Sequence, residues 1–317
     1  MIKDSLHLRN RNRTQYDLVV LSKAVPALKR FVHKGKRGQN TIDFSDPAAV
    51  RLLNTALLKH HYGLEYWEFP KANLCPPIPG RAEYIHHAAD LLAESNQGVI
   101  PRGNQITCID IGTGASCIYP IIGVVEYAWN FIGTDIEPNS IIASQKIIDS
   151  NPILQNKITL RSQRNANQVF KGVVNPGEKI DIAICNPPFH ASKEVMLKGN
   201  QRKVRNLSGS RESGTHHNFA GNYNELIYKG GEFQFIKNML TESLKYSNSI
   251  FWFTCLLSKE SNLQKLSRLI QKNNPTFTKT IEIQTGHKKS RILAWTYLSK
   301  NEQEIWRNDR WSVNSSY

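Results

Sequence analysis

Ile109-Asp110-Ile111-Gly112-Thr113-Gly114, followed by Gly133-Thr134-Asp135, decides the fold of this 317-residue chain. An apolar run that ends in Gly-x-Gly and opens a helical segment is a strand–turn–helix in which backbone amides approach a ligand closely. Asp135 stands 21 residues after Gly114, at the end of the next apolar run. A carboxylate there accepts hydrogen bonds from both hydroxyls of a ribose, as a nucleoside cofactor requires. A nicotinamide dinucleotide would share that acid, but it calls for a third glycine where this chain has Cys117. Asp110 is a poor neighbour for a pyrophosphate and a workable one for the cationic amino-acid end of S-adenosylmethionine, the plain alternative being a turn or helix-capping acid. The residues therefore favour the sulfonium cofactor, held by Asp110, Gly112, Gly114 and Asp135.

Outward from this turn, short apolar runs alternate with helical segments, the pattern of a parallel sheet with crossover helices. Strands are expected at 105–111, 130–135, 157–161, 180–185, 249–256, 278–284 and 291–298, with helices near 118–128, 138–150, 231–246 and 259–273. Seven strands, the last two without a helix between them, predict an α/β, Rossmann-like domain over 101–317 with a mostly parallel sheet and an antiparallel edge hairpin. Residues 1–100 read as a helical module of their own. Its first 40 residues are polar and poorly periodic, so they read as an arm. A helix then starts at Asp46-Pro47 with Asp46 as its cap and stops near Gly63, and a second runs from Arg81 towards Ser95. The stretch 190–229 breaks the alternation. It is rich in Ser, Gly and Asn and basic at Arg202, Lys203 and Arg205, a loop of the length that carries function or disorder.

Asp181-Ile182-Ala183-Ile184-Cys185-Asn186-Pro187-Pro188-Phe189 runs an apolar strand into a polar, turn-forming and aromatic tetrapeptide. An exocyclic nucleobase amine is a poor nucleophile because its lone pair is delocalised into the ring. Acceptors aimed at its two N–H bonds draw the nitrogen towards tetrahedral geometry, and the Asn186 side-chain oxygen and Pro187 carbonyl supply two on one turn. Pro187 and Pro188 fix φ, and Phe189 offers a face on which a flipped base stacks. Asn186, Pro187, Pro188 and Phe189 are the candidate catalytic set, and Asn186 also borders the cofactor. The plain alternative is an ordinary Asn-Pro turn closing a strand. His190 reads as a loop residue.

Forty-one Lys and Arg against 26 Asp and Glu give a formal charge of +15, a balance that favours polyanionic partners. The charge is uneven: residues 1–37 hold ten Lys or Arg and only Asp4 and Asp17 as acids. Candidate phosphate contacts are Arg9, Arg11 and Arg13, the Lys34, Lys36 and Arg37 cluster, the 193–211 part of the loop with Arg202, Lys203 and Arg205, and Lys288, Lys289 and Arg291, of which Arg291 opens an expected edge strand and also suits a sheet cap. Cysteines 75, 108, 117, 185 and 255 show no C-x-x-C spacing and read as reduced core residues of a cytoplasmic protein. The start has no apolar run of a leader, and no apolar stretch is long enough for a membrane span. Histidine pairs at 60–61, 86–87 and 216–217 combine with no cysteine or acid at ligand spacing, so no metal is expected. On residues alone, a DNA-adenine or protein-glutamine amide methyltransferase stays open, the protein substrate disfavoured by the charge. So does a non-catalytic RNA-binding ribosome-assembly factor, although Asn186, Asp110 and Asp135 are all present.

Longer strings carry a family likeness. They are Leu8-Arg9-Asn10-Arg11-Asn12-Arg13, Asp46-Pro47-Ala48-Ala49-Val50-Arg51, Pro79-Gly80-Arg81-Ala82-Glu83-Tyr84-Ile85-His86, Asp110 through Pro120, Asn186 through His190, Gly230-Gly231-Glu232-Phe233 and Arg291-Ile292-Leu293-Ala294-Trp295. In these the chain resembles the RlmF family of 23S rRNA adenine-N6 methyltransferases, which share a domain with a eukaryotic U6 snRNA adenine-N6 methyltransferase. The resemblance implies a monomeric class I S-adenosylmethionine-dependent methyltransferase with a helical, basic N-terminal extension, acting on one adenine of 23S rRNA or of a large-subunit assembly intermediate. It also implies Arg81 near the carboxylate of the methionine moiety, Gly112 beneath that moiety, Asp135 on the ribose, and the 163–167 segment, with Asn167 as a candidate, beside the cofactor adenine.

Overall fold

A computed structural model describes residues 6–192, 227–285 and 288–311 of the chain. Arg202, Lys203 and Arg205, with most of the basic 190–229 stretch, lie outside the described residues. In chain order the first elements are α1 (Leu18–Ala24), a 3-10 turn (Pro26–Phe31), the short strands β1 (His33–Lys34) and β2 (Asn40–Thr41), α2 (Pro47–Tyr62) and α3 (Ile78–Glu94). Then follow β3 (Thr107–Ile111), α4 (Ile118–Tyr127), β4 (Asn130–Asp135), α5 (Pro138–Asp149), β5 (Ile158–Ser162) and β6 (Ile180–Cys185). The last described are α6 (Gly231–Ser243), β7 (Ile250–Leu257), α7 (Glu260–Lys272), β8 (Phe277–Thr285), β9 (Lys288–Thr296) and α8 (Lys300–Arg310).

The large sheet has seven strands in the order β5-β4-β3-β6-β7-β9-β8. Neighbours from β5 to β7 are parallel, and β9 runs antiparallel to both β7 and β8. This is the mostly parallel, Rossmann-like sheet expected, with one difference. β9 is inserted between β7 and β8, so Arg291 lies inside an inner strand, opposite Leu257 and Glu282, and does not open an edge strand. β6 is buried at all positions because both sheet faces are covered, which is why its sequence is a continuous apolar run. Its side chains still alternate: Ile182 and Ile184 pack into the core shared with α2, α3 and α4, while Ala183 and Cys185 face the core beneath α6 and α7. The strand order reverses between β3 and β6, so the turns leaving both strands open on one crevice at their carboxyl ends.

Residues before β3 share the first of those cores. Leu28, Leu57, Tyr62 and Ile85 cluster with Ile122, Phe131 and Phe251 of the sheet domain. The Asp46 carboxylate accepts from Ala48 N at 2.8 Å, Pro47 takes the first helical position, and Gly63 closes α2 in the left-handed region at φ 67°. The opening segment is more ordered than its composition predicts. Asp17 caps α1 through Val19 N and Val20 N, and the chain before it is sewn to α3 by Asn10, whose amide donates to Pro79 O and Glu83. Among the described residues, no helix is long and apolar enough to cross a membrane.

α8 was not expected from periodicity. It is opened by a capping box between Ser299 and Glu302 and is anchored by an acid on β6. Asp181 is fully buried and gathers N–H groups from Thr107 (2.7 Å), Trp306 (2.7 Å), Trp311 (2.7 Å) and both Nε and Nη2 of Arg310 (3.0 and 2.8 Å). Removing it leaves two buried indole donors and a guanidinium without their acceptor. Asp181→Ala should lower unfolding free energy by about 3 kcal/mol or more, the range for breaking a buried ion pair. Urea unfolding checks this, and a midpoint equal to wild type would show that α8 is only laid on the surface.

Candidate active site

At the carboxyl end of β3 the chain turns through Gly112 and Gly114, at φ 75° and 65°. Side-chain-bearing residues rarely adopt these values, and the turn has open space where a Cβ would stand at either position. Gly112 N and Thr113 N both donate to Thr134 O, at 2.9 and 2.8 Å, tying the turn to β4. Asp135 at the end of β4 accepts from Gly114 N at 2.8 Å and from Glu137 N at 2.9 Å, one bond to each oxygen. Each oxygen keeps a second lone pair for a hydroxyl. A cleft over this turn is bounded by Gly112, Gly114, Asp135 and Ile136 on one side and by Arg81, Asn186, Pro187, Pro188 and Phe189 on the other.

The Asn186 turn is held from α3. The β6–β7 pairing stops at Ala183, and beyond it the Tyr84 hydroxyl accepts from Cys185 N at 3.2 Å and meets Thr254 Oγ1 at 2.9 Å. One turn earlier on the same helix, Arg81 donates to the Tyr119 hydroxyl at 2.7 Å. A guanidinium has only donors, so the Asn186 amide presents its oxygen to Arg81, at 2.7 and 3.2 Å from Nη1 and Nη2. The sequence alone assigns Tyr84 and Tyr119 no role, although Tyr84 sits three residues after Arg81 on one helical face. Cys185, just before Asn186, also lines the cleft, and burial pushes its thiol well above the ordinary range.

Asp110 lies one layer beneath the turn and does not line the cleft. It is fully buried, and neither carboxylate oxygen has a geometrically sound hydrogen-bond partner among the described residues. Burial pushes its carboxyl up to about 7, with nearby Thr113 and Arg81 opposing the shift and Asp135 adding to it. Burial likewise holds the Asp135 carboxyl above its ordinary value, against the amides that bond it. Asn167 is exposed and lies outside the cleft. Gln163 and Asn165 form successive side-chain-to-backbone turns there, and Gln163, Ala166 and Gln168 face the cleft instead.

The basic residues separate into two groups. Arg9 Nη2 is 2.6 Å from Asp90 and its Nε donates to the Tyr127 hydroxyl at 2.9 Å, while Arg11 pairs with Glu126 at 2.8 Å and also bonds His61 O. These two dock the opening segment onto α3 and α4. Arg13 is half-buried, and Arg291 is held between Glu260 (2.8 Å) and Glu282 (3.5 Å). Lys34, Lys36, Arg37 and Lys289 are exposed. Lys288 stands at the start of β9. One arrangement was hidden from the sequence: His7 comes to His87 and Asp90, a group whose ligand atoms lie within 4.8 Å of one another. Its contacts among the described residues are hydrogen bonds, with His7 Nε2 at 2.7 Å from Asp90 and Arg9 on the same carboxylate.

Asp110 sets a pH dependence with a definite sign. Its folded value exceeds the ordinary aspartate value, so the folded state holds the proton more tightly, and the stability this contributes at low pH is lost as pH rises through about 7. Asp110→Asn cannot ionise. In urea midpoints between about pH 4 and 8 it should remove this falling contribution, and parallel profiles for both proteins would contradict the placement of the charge.

A family model described as RNA methyltransferase matches residues 1–299. Ribosomal RNA large subunit methyltransferase F of Cytophaga hutchinsonii is 45% identical over 309 residues, covering 98% of this chain and 96% of its own. The protein of the same name from Flavobacterium johnsoniae is 46% identical over 307 residues, covering 96% and 97%. The hMettl16 catalytic domain, solved in complex with a MAT2A 3′UTR hairpin, superposes with a TM-score of 0.78 at 28% identity, covering 93% of this chain and 96% of that one. The N-terminal domain of human METTL16 in complex with SAH does so at 0.73 and 25%, covering 93% and 99%. With such relatives along nearly its whole length, the chain belongs to the RNA methyltransferase family that holds ribosomal RNA large subunit methyltransferase F.

Proposed function

We propose that the protein methylates the N6 amine of one adenine in 23S rRNA, with S-adenosylmethionine as donor. The observation that carries this reading is the placement of the Asn186 turn against the Gly112–Gly114 turn and Asp135 in one cleft. The residues fit the donor. The Asp135 oxygens suit ribose hydroxyls, the Gly turn admits close approach of a ligand to backbone, Arg81 suits a carboxylate, and the unpartnered Asp110 provides negative charge beneath the position of an ammonium. The family relationship supports the same choice, since a relative's fold holds SAH.

When bound, the donor supplies an electrophilic methyl group on a sulfonium. With Arg81 given over to the donor's carboxylate, a lone pair of the Asn186 oxygen is released, and it and the Pro187 carbonyl accept the two N–H bonds of the target amine and localise its lone pair, while Phe189 stacks the base. Once alkylated the amine is cationic and strongly acidic, so its proton leaves through Asn186 or water without a dedicated base or a metal. Orientation supplies most of the rate. We assign RNA phosphate contacts to the exposed Lys34, Lys36, Arg37 and Lys289 first, and also to Lys288 and to Arg202, Lys203 and Arg205 of the basic loop, and Arg9, Arg11, Arg13 and Arg291 to shaping the exposed surface. Residues 1–100 then act as the RNA-facing module of a monomeric, cytoplasmic enzyme.

The test is transfer of labelled methyl to large-subunit rRNA from cells lacking the protein, as naked RNA and as assembly particles, followed by nucleoside analysis. N6-methyladenosine at one site is the expected product. Asn186→Ala should lower the transfer rate by about 10²–10³-fold, as loss of one preorganised polar group does, with cofactor affinity kept. Asp135→Ala should weaken cofactor binding first. Normal turnover by Asn186→Ala would sink the mechanism. Reversing Lys34, Lys36 and Arg37 should weaken RNA binding and flatten its salt dependence, each lost phosphate contact reducing the slope by about 0.7–0.9.

A further inference from the structure

The string Gly230-Gly231-Glu232 is absorbed by none of the roles above, yet it lies directly behind the Asn186 turn. Gly231 has φ 65°, and a Cβ there would stand 3.3 Å from Ala191 N, so the backbone that leaves the turn rests on this glycine. Glu232 is fully buried at the start of α6. Its Oε1 accepts from Ser258 N at 2.6 Å, and its Oε2 accepts from Lys259 N at 3.2 Å and Asn262 Nδ2 at 3.0 Å. One buried carboxylate thus joins the start of α6 to the start of α7 and fixes the backbone of Lys259, the N-cap residue of α7. The exposed Lys259 side chain returns to the site, where Nζ donates to Phe189 O at 2.9 Å.

We propose that Lys259, seated by Glu232, is a positioning residue for methyl transfer: its ammonium holds the Phe189 carbonyl and with it the ring that stacks the target base. The inference rests on the function proposed above. Pro187 and Pro188 fix two φ angles, so the freedom left in the turn lies in its ψ angles and at Phe189. The near half is already tied through Cys185 N and Asn186 to Tyr84 and Arg81. Lys259 ties the far half by a charge-assisted bond, the stronger kind. A ring allowed to swing by an ångström departs from attack geometry, which lowers a rate by up to about 10²-fold without touching the binding surfaces.

The experiment compares Lys259→Met, Lys259→Arg and wild type in single-turnover methyl transfer at saturating RNA and S-adenosylmethionine, with both dissociation constants measured separately. Lys259 is exposed, so these variants should fold; Glu232→Gln, which keeps the acceptor oxygen but loses the charge, gives an independent arm. Lys259→Met should slow the saturated step by about 10–10²-fold with both dissociation constants nearly unchanged, and Lys259→Arg should recover most of the rate. Glu232→Gln should fall between them. A wild-type rate in Lys259→Met, or weaker RNA binding with the saturated rate kept, overturns the proposal; the second result makes Lys259 a phosphate contact. Wild type that transfers no methyl overturns the functional reading and this inference together. Transfer that depends on Asn186 but not on Lys259 removes the lysine alone.

Discussion

Strand β6 is pinned at both ends by side chains from outside the sheet, and the geometry of the cleft depends on it. At its start Asp181 binds the first residue of β3, Trp306 and Arg310 of the last described helix, and Trp311 just after it. At its end Tyr84 replaces the missing ladder bond at Cys185. A strand so fixed delivers the residue after it to one place, and that residue is Asn186. The switch between β3 and β6 then sets the glycine turn alongside, so two loops distant in sequence share a floor.

The electrostatics of that floor follow from burial. Asp135 lies close enough to add to the raised proton affinity of Asp110, while Arg81 opposes that shift and also meets the amide oxygen of Asn186. Arg81 therefore stands between the two halves of the site. Its second anchor, Tyr119, comes from the helix that follows the glycine turn, so the same helix that frames the first loop steadies the cation serving the second.

Much of this was legible in the sequence because the signals are local. Runs such as Ile180–Cys185 are apolar throughout since both sheet faces are covered, and Asp46 and Gly63 mark the ends of α2 by the chemistry of helix termini. What stayed hidden is mostly non-local. The acids that neutralise Arg9 and Arg11 lie 81 and 115 residues away, so these two arginines read from the sequence as candidate phosphate contacts and not as docking residues. The insertion of β9 between β7 and β8 is a choice of pairing that strand composition does not record. α8 did carry a local mark, Ser299-x-x-Glu302, but its surface is so polar that only Trp306 betrays a buried face. Glu232 bonds across from the start of one helix to the start of another, and Lys259 reaches back to the turn after β6, contacts that no periodicity expresses.

The thiol of Cys185 has a consequence for chemical selectivity. On the proposed reaction, sulfur sits one residue from the group that handles the amine, in a cleft built for an alkylating sulfonium. A thiolate there would outcompete an adenine amine for the methyl group and leave a dead, S-methylated enzyme. An ordinary thiol is mostly protonated at neutral pH, burial shifts Cys185 further that way, and a neutral thiol is a weak nucleophile. On that reaction, the apolar packing that makes β6 a core strand would also disfavour methylation of its own last thiol.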